Sequence, residues 1–97
     1  MTVDLFAGIP VRGYMVALSW YEQLLGSAPS FIPSPTDAVW ELAEHRFLVT
    51  EERPDTAGYA IHTIFVDDLD ALVTEISLRG LEPTEREMYA NGVRKAT

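Results

Sequence analysis

The chain has 97 residues, 15 acidic against 7 basic, with a formal charge of −8, 47% hydrophobic and 23% charged residues, and no cysteine. A chain of this length buries only about 60–65% of its unfolded surface, which allows one compact unit, and its apolar content excludes a disordered one. The missing cysteines exclude disulfides, zinc–thiolate sites and thiol catalysis, and a pI near 4.5 leaves no cationic footprint for nucleic acid or anionic lipid.

The opening MTVDLFAGIP carries Asp4 and no basic stretch, and its apolar run is far below the roughly 18 residues of a membrane span. A soluble, cytoplasmic protein is the expectation. In residues 3–11, Leu5, Ala7, Ile9 and Val11 alternate with Phe6, Gly8 and Pro10, the period of two of a β-strand. Both faces are apolar, so both should be covered, and Pro10 belongs at a strand end or an edge because it has no N–H for a ladder. Tyr14, Ala17, Leu18, Tyr21 and Leu24 or Leu25 then recur at helical spacing, and Gly26 supplies a left-handed cap.

Between Ser27 and Thr36 three prolines and three serines break any helix, leaving Phe31 and Ile32 for a short strand. Residues 38–44 and 46–51 read as a hairpin turning at Glu44-His45, with Trp40 and Leu42 on one face and Val39, Glu41 and Ala43 on the other. Residues 52–58 carry no periodicity and read as a loop. Tyr59 to Val66, β-branched and aromatic, is predicted to be a strand. Asp67 or Asp68 then caps a helix bearing Leu69, Leu72, Val73 and Ile76, which Gly80 closes. Residues 81–88 and 92–97 are weaker strand candidates on either side of a Tyr-Ala-Asn-Gly turn.

The two halves repeat. At an offset of about 54 or 55, Val11 falls on Val66, Tyr14 on Leu69, Ala17 on Leu72, Leu18 on Val73, Tyr21 on Ile76, Gly26 on Gly80 and Pro29 on Pro83. Each half then reads as a βαβββ module, the first at about residues 1–52 and the second at about 58–97 of a single domain. Residue 97 corresponds to about position 43, so the second module is predicted to lack the counterpart of the strand at 46–51.

The segments LFAGIPVRGYMVALSWYEQLLG, TIFVDDLDALVTEISLRGLEP and YANGVRKAT resemble the vicinal oxygen chelate superfamily, the glyoxalase/bleomycin-resistance/extradiol-dioxygenase group. Trp20-Tyr21 ahead of Leu24-Leu25-Gly26, and Val66-Asp67-Asp68-Leu69-Asp70 after a strand, carry the resemblance. It implies an α+β fold of two βαβββ modules curled around a concave mixed sheet, here with the second module short of its last strand. It also implies a homodimer, since members commonly pair their modules between subunits. Metal-dependent members place His, Gln or Glu on the first strand of each module. Phe6 and Ile61 occupy those positions here, and neither can coordinate a metal; a further carboxylate ligand belongs to the absent last strand. No metal and no cofactor are therefore expected.

Among candidate chemical groups, His45 reads as a solvated turn residue and His62 as a hydrogen-bonded core histidine on the helix side of its strand. Asp67, Asp68 and Asp70 read as helix-start residues, Glu51 and Glu52 as a solvated strand end, and Glu41 as one partner of a structural salt bridge. Phe6, Gly8, Trp40, Tyr59, Thr63 and Phe65 are assigned to the concave face as ligand-binding residues, apolar walls with room for a flat organic compound. The same rings could instead fill a closed core or a subunit interface. The resulting expectation is a metal-free protein that binds a small hydrophobic or aromatic compound, with no nucleic-acid or membrane partner. The alternatives are a metal-dependent lyase or dioxygenase of the same superfamily, or a remnant that only dimerises.

Overall fold

The computed structural model describes residues Met1 to Thr97. The first half forms β1 (Leu5–Val11), α1 (Tyr14–Leu25), β2 (Phe31–Ser34), β3 (Asp37–Ala43) and β4 (Arg46–Glu52), and the strands lie side by side as β1-β4-β3-β2. β1 runs parallel to β4, from Leu5 opposite Arg46 to Val11 opposite Glu52, and the other neighbours are antiparallel. Parallel neighbours need a crossover, and α1 forms part of it. The β3–β4 hairpin turns at Glu44-His45, where His45 adopts φ 65°.

α1 keeps its predicted span because its apolar stripe faces the sheet and both of its ends are served. Gly13 offers no capping side chain, so the Tyr14 N–H donates to Glu52 Oε2 at 2.9 Å; at the far end Gly26, at φ 77°, returns its N–H to the Glu22 carbonyl. Every buried residue belongs to this half: Val11, Ala38, Val39, Trp40, Leu48, Val49 and Thr50. Ala38, Trp40 and Leu48 pack with Ile9, Tyr14, Leu18, Tyr21 and Leu25 between sheet and helix.

Trp40 departs from its expected place. It lies opposite Leu48, which lies opposite Ala7, so it projects toward α1, whereas Phe6 and Gly8 project from the other face. Only 2% exposed, its indole N–H donates to the Ser27 carbonyl at 3.0 Å, which satisfies the one polar atom that burial would strand. A large ring with one donor is favoured beneath the helix, where a loop carbonyl is within reach.

The second half contains α2 (Leu69–Leu78) and a small antiparallel hairpin of β5 (Arg86–Met88) and β6 (Arg94–Ala96). Asp68 caps α2 by accepting the Ala71 N–H at 3.0 Å, and Gly80 adopts φ 98°, the left-handed role that Gly26 plays in the first half. α2 buries no residue fully. None of the helices is long and apolar enough to cross a membrane.

Residues 59–66, expected as a strand, join no ladder. In the first half the equivalent strand, β1, takes its ladder from β4, and these 97 residues hold no counterpart of β4 to do the same. Strand propensity describes fit to a neighbouring pleated surface, and this segment lacks one. His62 departs from expectation for the same reason. It is exposed rather than buried, and Nε2 hydrogen-bonds the Gly8 carbonyl at 2.9 Å.

Candidate functional site

Strand pairing assembles one face of the first sheet, the face turned away from α1. Phe6, Phe47 and Glu41 lie in one cross-strand row, Gly8, Val49, Val39 and Phe31 in the next, and Pro10, Glu51 and Asp37 in a third. In the first row the Phe6 and Phe47 rings stack, centroids 4.5 Å apart and planes 9° from parallel, while Phe6 stays half exposed. In the second row Val39 and Val49 form a closed floor, and Gly8 leaves a recess: a Cβ there would meet nothing nearer than Glu51 Oε1 at 3.9 Å. In the third, Glu51 accepts the Arg53 Nε–H at 3.0 Å. The face thus runs from an aromatic end, over an apolar floor, to a charged rim.

Such a face can hold a flat apolar body and orient a polar substituent. On the other side of the sheet, burial pushes the Tyr21 phenol up.

Of the six assigned residues, the structure brings Phe6 and Gly8 together. Tyr59, Thr63 and Phe65 lie on the unladdered segment, Tyr59 at 82% and Phe65 at 86% exposure, and neither ring stacks on another. Trp40 is beneath α1, as described. Glu41 faces the site but forms no ion pair, which overturns its expected salt bridge. Sequence reasoning missed Phe47, Val49, Val39 and Glu51. The alternation in β4 was there to read, but which of its two faces shares a side with Phe6 depends on the parallel register of β1.

The residues present do not fit the metal centre of the superfamily's metalloenzymes. The two positions that the sequence resemblance assigns to first-strand metal ligands hold Phe6 and Ile61, and no three His, Asp or Glu side chains gather as a metal-holding cluster. His45 meets Asp4 at 2.6 Å through Nδ1 and Glu44 at 3.3 Å through Nε2, so its two carboxylates sit at opposite nitrogens and do not converge on one ion.

No family model matches the sequence, and no curated protein does. Among solved structures, the glyoxalase/bleomycin resistance protein from Catenulispora acidiphila DSM 44928 is 49% identical, with a TM-score of 0.94 over 98% of this chain and 86% of that one. A second structure, described as a conserved domain protein, superposes with a TM-score of 0.66 at 12% identity over 99% of this chain and 86% of that one, which shows the fold alone. With its four-stranded mixed sheet and this identity over almost its whole length, the chain belongs to the glyoxalase/bleomycin resistance family of the vicinal oxygen chelate superfamily.

Proposed function

We propose that this is a metal-free, cytoplasmic binding protein, a homodimer that holds a small hydrophobic or aromatic compound against the sheet face turned away from α1. The observation that carries the reading is the Phe6–Phe47 stack beside the Val39–Val49 floor, an accessible aromatic wall next to an apolar base. Hydrocarbon side chains at Phe6 and Ile61 support the metal-free part, because they offer no lone pair where metal-dependent relatives place ligands.

Trp40 is the wrong reporter for this site, since the sheet separates its indole from the bound compound. Amide and methyl NMR spectra recorded while a planar aromatic such as naphthalene is titrated in test the reading. Saturable shifts confined to Phe6, Gly8, Phe47 and Val49, lost in Phe47→Ala, are expected. Absence of any saturable shift on that face overturns it. One tightly held transition metal per chain by elemental analysis overturns the metal-free part.

A further inference from the structure

The hydrogen bonds that join the two halves of this chain come from three side chains, His62, Arg79 and Gln23. No backbone hydrogen bond and no ion pair joins residues 1–52 to residues 59–97, and the buried core lies wholly within 11–50. What crosses is His62 to the Gly8 carbonyl and a reciprocal contact where the two helices end. There Arg79 donates Nε–H to the Gln23 carbonyl and Nη2–H to the Leu24 carbonyl at 3.0 Å, and Gln23 Nε2–H returns to the Arg79 carbonyl at 3.1 Å.

The chemistry of the helix ends accounts for the contact. The last carbonyls of an α-helix lack intrahelical partners and carry partial negative charge, and α1 has no basic residue in its last turn to meet them. Arg79, arriving from the end of α2, supplies the cation. Its planar guanidinium fixes direction as well as distance, because its donors lie in one rigid fork. Gly26 leaves room for the approach: a Cβ there would lie 3.0 Å from the guanidinium carbon, which would then have to shift.

We propose that Arg79 is a positioning residue that sets the angle between the two halves. His62 alone is a single-bond pivot, about which the second half can turn; the three bonds shared by Arg79 and Gln23 stop that rotation. The angle decides where Tyr59, Ile61 and Phe65 lie relative to the Phe6–Phe47 wall. That consequence for a ligand rests on the binding function proposed above, whereas the angle itself is read without any ligand.

The cysteine-free chain allows clean labelling. Spin labels at Ser19→Cys on α1 and Glu75→Cys on α2, both exposed positions, report the distance between the halves by electron–electron resonance, with doubly labelled protein diluted into unlabelled protein. A single narrow distance peak is expected in the parent. Arg79→Met loses it and gives a broad distribution, Gln23→Met broadens it less, and Arg79→Lys, which keeps a cation but not the fork, restores part of the peak. Circular dichroism and the fluorescence of Trp20 and Trp40, both in the first half, report whether that half remains folded. An unchanged narrow peak in folded Arg79→Met overturns the proposal. Should that variant fail to fold, Arg79→Gln, which also lacks the guanidinium fork, takes its place, and an unchanged narrow peak there overturns the proposal.

Discussion

Phe6 and Phe47 stack with ring centroids 4.5 Å apart because β1 and β4 pair in parallel with these two residues opposite one another. Two positions 41 residues apart in sequence thus form one wall, and only the crossover through α1, β2 and β3 brings them together.

This pairing predicts a measurable coupling. In a double-mutant cycle of Phe6→Ala and Phe47→Ala followed by urea unfolding, the double variant should lose about 0.5–1.5 kcal/mol less than the sum of the two single truncations, because each single change already removes the stack. Strictly additive losses would mean that the rings do not interact in solution.

Thr50 is fully buried beside the core, and its Oγ1 has no hydrogen-bond partner. A buried hydroxyl left unpaired costs on the order of 1–3 kcal/mol, so Thr50→Val, which keeps the β-branched shape, should stabilise the protein by about 1 kcal/mol. Thr50→Ser, which keeps the hydroxyl and loses the methyl, should destabilise it. Urea midpoints of the three proteins check both signs, and a lower midpoint for Thr50→Val would contradict the assignment.

Burial raises the pKa of the Tyr21 phenol above its ordinary value of 10.0. Since the folded state holds this proton more tightly than the unfolded state, its contribution is fully present below pH 10 and is lost as pH rises from there through the folded-state value. Stability above pH 10 should therefore fall more steeply in the parent than in Tyr21→Phe. Parallel curves for the two proteins in alkaline thermal melts would exclude this origin.

Tyr59, Ile61 and Phe65 are each more than four-fifths exposed, on a segment with no strand partner. Large apolar side chains in that state favour association. Light scattering across a concentration series should give roughly twice the 10.8 kDa chain mass, and Ile61→Lys should return it toward one chain. A mass of 10.8 kDa at high micromolar concentration would sink the homodimer.

Most of the fold was legible because it follows local rules. The stripe from Tyr14 to Leu25 and its Gly26 cap, the Glu44-His45 turn and the Asp68 cap each depend on residues within a few positions of one another. The candidate site was legible only in part. Alternation along one strand puts Phe6 and Gly8 on a common face, but it gives neither the face of Trp40 nor the place of Phe47 beside Phe6. Alternation sorts a strand's residues into two sets but does not say which set faces the helix.

The sequence by itself determined the order and type of the helices, the left-handed glycines that follow both of them and the family resemblance. Tertiary structure alone decided the rest, because each remaining feature is a relation between distant segments. The β1–β4 register chose the partner of Phe6, and α1 took Trp40 because its ring and its donor could both be satisfied there. Residues 59–66 have the composition of a strand, but a strand exists through its neighbour's hydrogen bonds, and no neighbour is present in these 97 residues to provide them.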